Sequence, residues 1–245
     1  MKKLPLMDVR NIHKWYGKVH AVNNVSFIVN RGEIIGLIGD NGAGKSTLIK
    51  VLSGYHRPNG GEIFIDGEKT KINSPSDARA LGIETLYQEQ ALVDSMSLAR
   101  NFYMGREPVN FAGFLKKQKM NECIKILHHI GLSIKSPDLL VGSLSGGEKQ
   151  GVAIGRAMYF KANLVLLDEP TRALSVKEVQ TVLDFVKELK EANISVIFIT
   201  HNIQHVYTVA DRFLILKNGE VIKDIKKDDI TAEEITESLI GDRNV

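Results

Sequence analysis

Residues 34–52 read IIGLIGDNGAGKSTLIKVL, and no other stretch leaves the chain so few options. An apolar run, Ile34, Ile35, Leu37 and Ile38, reads as a strand. It leads into Gly39-Asp40-Asn41-Gly42-Ala43-Gly44-Lys45-Ser46-Thr47, which matches G-x-x-x-x-G-K-[ST], and then into a stretch with helical apolar spacing at Leu48, Ile49 and Leu52. Strand, glycine loop and helix in that order are the context in which this pattern cradles phosphate. Glycine permits the backbone angles that aim successive N–H groups at one anion. The helix N-terminus adds partial positive charge at the same place. In this motif Lys45 reaches the β- and γ-phosphates and the Ser46 hydroxyl ligates Mg²⁺. A Ser-capped glycine turn without a ligand would not require every fixed position and both flanking periodicities. The loop therefore points to a nucleoside triphosphate, without saying what its energy drives.

Composition narrows the remaining classes. A globular chain of 245 residues buries roughly 70–75% of its unfolded surface, enough for a large core in one or two domains. The net charge of +3 is far from that of a dedicated nucleic-acid binder. Cys123 is the only cysteine, so no intrachain disulfide forms, which fits a reducing compartment. Pro5, Asp8 and Arg10 interrupt any N-terminal apolar segment, so no signal peptide is expected. The apolar runs at 164–167 and 196–199 are too short to span a bilayer, and a membrane role is expected to run through a partner.

Along the chain, residues 7–38 read as short strands, with Val25, Phe27 and Val29 alternating with polar neighbours. Taken alone, Trp15-Tyr16-Gly17 is a pair of packing aromatics, with base stacking as the alternative. GGEIFIDG at 60–67 is another alternating strand. Ser74-Pro75 starts a helix that Gly82 stops, and Ile83–Tyr87 is a strand ending at Gln88. Residues 91–160 change character, with helical patterns such as Cys123, Ile124, Leu127 and Ile130. The Lys116, Lys117, Lys119 cluster reads as a solvated face. Adjacent His128 and His129 lack metal-ligand spacing, and Cys123 reads as core. Leu164–Leu167 followed by Asp168-Glu169 predicts a buried parallel strand with acids at its C-terminal end, the edge where open α/β sheets bind ligands. Val176, Val179, Val182, Leu183, Val186 and Leu189 predict a helix with an apolar stripe. Residues 194–199 predict a second buried strand before Thr200-His201. Asn218-Gly219 between apolar runs predicts a hairpin, and Thr231–Ile240 a terminal helix.

Further motifs narrow the reading. Residues 143–150 read SLSGGEKQ, 164–171 read LVLLDEPT, His201 follows one buried strand and Gln88 another. With these residues the chain resembles the ATP-binding cassette ATPases of membrane transporters from about residue 6 to 240. The resemblance implies an α/β P-loop NTPase (RecA-like) core with an N-terminal antiparallel β subdomain and an inserted α-helical subdomain. On that division, residues 1–88 plus 160–245 form the nucleotide-binding core and 89–159 the helical signature subdomain. It also implies roles: Tyr16 stacks on adenine, and Gln88 contacts Mg²⁺ or the attacking water. Asp168 holds Mg²⁺ through water, Glu169 is the general base, and His201 contacts the γ-phosphate. Ser145, Gly146 and Gly147, the signature, meet the ATP of a partner subunit, so a homodimer with two composite sites is implied. Lys45, Gln88, Glu169 and His201 would form the catalytic set.

Two positions depart from the family pattern. Glu148 stands where Gln is usual, and Arg172-Ala173-Leu174-Ser175 stands where S-A-L-D is usual, so Ser175 replaces an Asp that organises the dimer and the attacking water.

The finer resemblance, on Ala78-Arg79, Gly82-Ile83, Tyr87-Gln88-Glu89 and Ala99 to Glu107, is to ATPase subunits of bacterial monosaccharide importers for ribose, xylose or fructose. It implies integral-membrane permease subunits, an indirect link to a sugar-binding protein, and a peripheral place on the cytoplasmic face of the membrane. The sugar itself rests on analogy. A DNA- or ribosome-directed cassette would carry long heptads or a second cassette, and neither is present. A P-loop kinase or GTPase would leave the signature unexplained.

Overall fold

The computed structural model describes residues 4–86, 92–113, 115–129, 131–172 and 174–240. These fall into two compact units. One is drawn from Met1–Gln88, Ala162–Ala173 and Leu183–Val245, the other from Glu89–Lys161 and Leu174–Val182.

In the first unit, β1 (Met7–Tyr16), β2 (Val19–Val29), β4 (Gly60–Ile65) and β5 (Glu68–Thr70) form an antiparallel sheet ordered β2-β1-β4-β5. Val25, Phe27 and Val29 turn inward while Ser26 and Ile28 are exposed, as period-two alternation requires. The second sheet has six strands: β3 (Ile34–Gly39), β6 (Ile83–Leu86), β7 (Leu164–Asp168), β8 (Ser195–Ile199), β9 (Arg212–Lys217) and β10 (Glu220–Lys226). Their order is β10-β9-β3-β8-β7-β6. From β9 to β6 the neighbours run parallel. Every residue of β3, β7 and β8 is buried, the result of covering both faces of a parallel sheet. The antiparallel β9–β10 turn uses Asn218 at φ 49° and Gly219 at φ 83°, the left-handed pair that a two-residue hairpin demands.

Helix α1 (Lys45–Leu52) follows β3 and buries Leu48, Ile49, Val51 and Leu52. In α2 (Pro75–Ala80), Ser74 accepts the Asp77 N–H and Pro75 takes the first helical position, where its missing N–H costs nothing.

The second unit packs α3 (Leu98–Phe102), α4 (Lys117–His129) and α5 (Gly146–Tyr159) around a core that includes Leu98, Phe102, Tyr103, Cys123, Leu127, Val141 and Val152. Cys123 is fully buried, and burial pushes its thiol up to about 12, so it packs rather than reacts. Asn101, also fully buried, pins the preceding loop. Its Oδ1 accepts the Val93 N–H at 2.7 Å, and its Nδ2 donates to the carbonyls of Val93, Met96 and Ser97. His128 Nε2 lies 2.7 Å from the Ile134 carbonyl oxygen, a local cap rather than a ligand position.

Helix α6 (Val176–Glu191) contributes residues to both units. Its stripe of Val179, Val182, Leu183, Val186 and Leu189 is buried, but Val176 is 89% exposed. That residue opens the helix, ahead of the packed turns, and periodicity alone could not place it outside the core. The chain continues through α7 (Ile203–Val209) to α8 (Ala232–Ile240), whose start is boxed reciprocally by Thr231 and Glu234.

One guanidinium ties the two sheets of the first unit. Arg212 of β9, only 11% exposed in its side chain, donates from Nε to Glu33 Oε1 at 2.8 Å. Its Nη1 donates to both Asp224 oxygens at 2.7 and 2.8 Å, and its Nη2 to the Ile28 carbonyl of the antiparallel sheet. Burial opposes its charge, and Glu33 and Asp224 more than restore it. Arg212→Ala would leave Glu33 largely buried without its partner. It should cost about 3 kcal/mol, a fall in melting temperature of roughly 6–12 °C measured by calorimetry.

Candidate functional site

The parallel ladder decides which side chains meet. Ile199 at the end of β8 stands opposite Leu37 of β3 on one side and Asp168 of β7 on the other. The glycine loop, the two acids and Thr200-His201 therefore emerge at one sheet edge. They surround a cavity of about 560 Å³ lined by Ala21, Asn41, Gly42, Ala43, Gly44, Lys45, Ser46, Thr47, Glu169, Arg172 and His201.

The loop's glycines are required by geometry. Gly44, at φ 101°, lies so close to β2 that a Cβ would sit 2.3 Å from the Ala21 carbonyl oxygen. Gly42, at φ 84°, has nothing within 4 Å of that position, so the need there is conformational alone. Lys45 is 7% exposed, and its ammonium donates to the carbonyls of Gly39 at 2.7 Å and Asp40 at 3.0 Å. Burial lowers its pKa, against the opposing pull of Glu169, Asp168 and Asp40. The first turn of α1 contains no acid. Its N–H groups and the Lys45 charge thus face the cavity without an acidic rival from their own helix, as an anion site needs.

Opposite lie the acids. Asp168 is 7% exposed, and the Ser46 hydroxyl is 3.5 Å from its Oδ1. Burial and the neighbouring Glu169 charge raise the Asp168 carboxyl, while Ser46 and Lys45 pull it back. Glu169 has φ 53°, a left-handed backbone uncommon for a residue with a side chain. Its N–H donates to the Ile199 carbonyl at 3.0 Å, which anchors that turn. His201 Nδ1 is 2.9 Å from the Glu169 carboxylate, and the Thr200 hydroxyl donates to Glu169 Oε2 at 3.4 Å. A carboxylate oriented from two sides at a cavity mouth can align and deprotonate a water. The Ser46 hydroxyl and the Asp168 carboxylate are hard oxygen donors of the kind Mg²⁺ takes. Among the described residues no group of three or more His, Cys, Asp or Glu could hold a metal ion.

The structure thus brings together Gly39–Thr47, Asp168, Glu169 and His201. Tyr16 closes β1, 41% exposed and edge-on to His56 at 5.4 Å, but it is not among the cavity-lining residues. Gln88 lies outside the described residues. Ser145, Gly146 and Gly147 belong to the second unit. There Ser145 caps α5, with its hydroxyl accepting the Glu148 N–H at 3.2 Å and its own N–H donating to the Glu148 carboxylate at 2.8 Å. Glu148 thus completes a reciprocal cap that Glu and Gln serve equally.

Sequence reasoning missed Arg172 and Ala21 in the cavity wall. Arg172 is carried there by the turn in which its N–H donates to the Glu169 carbonyl at 3.1 Å. Its only trace in the sequence is a departure from the usual pattern. Ala21 acts through its backbone and leaves no side-chain signal.

Comparison with known proteins follows the same lines. The family described as ABC transporter matches residues 22–172. The xylose/arabinose import ATP-binding protein of Sulfolobus acidocaldarius is 46% identical, over 96% of this chain and 93% of that protein. A ribose import ATP-binding protein of Burkholderia ambifaria is 37% identical over 97% of this chain, which spans only 47% of that relative. Among solved structures, an ATP-binding cassette of an ABC transporter in its ADP conformation superposes with a TM-score of 0.82 at 28% identity, covering 98% of this chain and 96% of that one. A dimeric post-hydrolysis cassette bound to ADP and Pi gives 0.75 at 26% identity, covering 90% and 98%.

The raised Asp168 carboxyl has a consequence for stability. An acid whose folded pKa lies above its unfolded value makes the nucleotide-free protein lose stability as pH rises through that range. Asp168→Asn should therefore raise the melting temperature of the nucleotide-free protein at neutral pH and flatten its acid-side pH dependence. If Asp168 works on the cation, the same change should cut hydrolysis by roughly 10²-fold or more. Thermal melts across pH, paired with phosphate-release assays, measure both.

Proposed function

The chain belongs to the ABC transporter family, and on that premise we propose that it binds and hydrolyses ATP to power an importer whose cargo is a monosaccharide. The single observation that carries the catalytic part is the Glu169 carboxylate, held by His201 and Thr200 across the cavity from Lys45. Phosphoryl transfer asks for positioning and charge neutralisation more than for covalent help. Lys45 and the glycine-loop N–H groups hold the polyphosphate. Ser46 would hold Mg²⁺ directly and Asp168 through water, with Gln88 as a further contact. When bound, Mg²⁺ neutralises developing charge on the phosphate oxygens. Glu169 orients the attacking water and takes its proton, and His201 keeps Glu169 aligned and reaches the terminal phosphate. Tyr16 stacks on the adenine. Sugar import is supported by the 46% identity to a xylose/arabinose import protein along nearly all of both chains.

Ser145, Gly146 and Gly147 complete the site of a second copy, so two chains enclose two ATP molecules. A cassette of the same fold has been solved as a dimer with ADP and Pi. No described helix is long and apolar enough to cross a membrane. Import on this reading uses integral-membrane permease subunits, fed by a sugar-binding protein, with this chain docked on their cytoplasmic side, as the likeness to an import ATP-binding protein suggests. In the segment 92–102, Leu98, Ala99, Asn101 and Phe102 are buried in the second unit, whereas Val93 and Met96 are more than a third exposed. The exposed pair is where a permease segment would be received.

Light scattering of purified protein with Mg·ATP tests the cycle. Glu169→Gln should trap a stable dimer and reduce turnover by about 10²–10⁴-fold, while the unaltered chain returns to monomer. An ATP-loaded monomer in both would reject the composite site. Val93→Asp with Met96→Glu should leave basal hydrolysis within about twofold, as expected of surface changes, and abolish its stimulation by the reconstituted permease. Parallel loss of both activities would place coupling elsewhere.

A further inference from the structure

The capping box at the start of α5 uses the N–H groups of Ser145 and Glu148. It leaves the N–H groups of Gly146 and Gly147 as first-turn donors that the box itself does not satisfy. Glu178, in the first turn of α6 and in the same unit, lies against both glycines. A Cβ on Gly146 would be 3.3 Å from Glu178 Oε1, and one on Gly147 would be 3.7 Å from Glu178 Cγ. The Gly147 N–H is among the groups that favour its charged form.

What holds Glu178 there is Ser175. The Ser175 N–H and hydroxyl both donate to Glu178 Oε2, at 2.9 and 2.8 Å, and the hydroxyl accepts the Glu178 N–H at 3.4 Å. These bonds, the Ser175 N–H first, keep the carboxyl below its usual range, so it is ionised at neutral pH. An Asp at 175 would place a second negative charge at that distance and repel it. The replacement of the usual Asp by Ser and the position of Glu178 are thus one feature.

We propose that Glu178 is a positioning residue that stands in for phosphate at the signature glycines, and that it must yield them to the terminal phosphate of ATP on the partner chain before the dimer closes. The proposal rests on the composite-site reading above. It makes closure a competition between two anions for the same N–H groups, with Ser175 setting the strength of the internal one.

The test measures the ATP concentration at half-maximal dimerisation by light scattering, in the Glu169→Gln background so that hydrolysis does not intervene. Glu178→Gln keeps the shape and an acceptor for the Ser175 N–H but removes the competing charge. It should lower the midpoint about twofold to fivefold, the range for an exposed charged contact. Ser175→Gly, which removes the hydroxyl that holds Glu178 at little cost to the helix cap, should move it the same way. The two together should give less than the sum, because both act on one contact. Glu188→Gln, a charge change farther along α6, should leave the midpoint in place. An unchanged or raised midpoint in Glu178→Gln, with dimers still forming, would overturn the proposal and leave the composite site standing. A shift equal to that of Glu188→Gln would also overturn it, since general charge then suffices. No dimer in any variant would reject the composite site and this proposal with it.

Discussion

Register between three buried strands is the constraint on which the site depends. β3, β8 and β7 carry no solvent-facing residue, so their alignment is fixed by packing on both faces. With Ile199 opposite both Leu37 and Asp168, the end of each strand is fixed against its neighbours. Everything polar that follows a strand end is then delivered to one edge within a few ångströms: the glycine loop after β3, Glu169 after β7, Thr200 and His201 after β8. A slip of one residue in β7 would turn Asp168 to the other face. The hydrophobic run Leu164–Leu167 is thus as much a part of the site as the acids it carries.

Charge at that edge suits a charged ligand. Two adjacent carboxylates act on one buried ammonium, which donates to the backbone carbonyls of Gly39 and Asp40 and has three N–H groups to give. Burial penalises both signs: the Lys45 pKa is lowered and the Asp168 pKa is raised. Glu169 adds a left-handed backbone angle on a non-glycine residue. Each of these costs the fold stability, and local rules broken together at one place are expected of a functional site. On the proposed reading, a polyphosphate with its cation would bring a negative charge to Lys45 and a positive one to Asp168.

Much of this was legible in the sequence because it rests on local chemistry. The glycine loop, Ser74-Pro75, Asn218-Gly219 and the LVLLDEPT strand each dictate their own conformation within a few residues, and the structure has them as read. Other features are tertiary and left little trace. Periodicity placed Val176 in the stripe of α6, but whether a first-turn residue is covered depends on what lies over it, and nothing does. Arg172 reaches the cavity only because the turn after Glu169 folds back. Trp15 read as a packing aromatic, and its partner is His20 across the hairpin, stacked at 3.9 Å, a pairing that needs the β1–β2 register.

The two departures from the family pattern show how far residue-level physics can be taken from a sequence alone. Glu148 looked like a changed signature, yet as a capping partner Glu does what Gln does, so that substitution conserves the helix start. Ser175 looked like a lost acid. In the fold it is the N-cap of α6, an S-x-x-E box of its own, and a cap chosen this way brings its Glu to the third helical position. The box pattern S-V-K-E was present in the sequence at 175–178. What the sequence could not disclose is that this third-position carboxylate would lie against the first turn of α5. Two capping boxes, each locally ordinary, come to share one small volume in the second unit. The consequence follows from counting donors: one box consumes its own N–H groups, and the glycines it leaves over lie against the side chain of the other's Glu178.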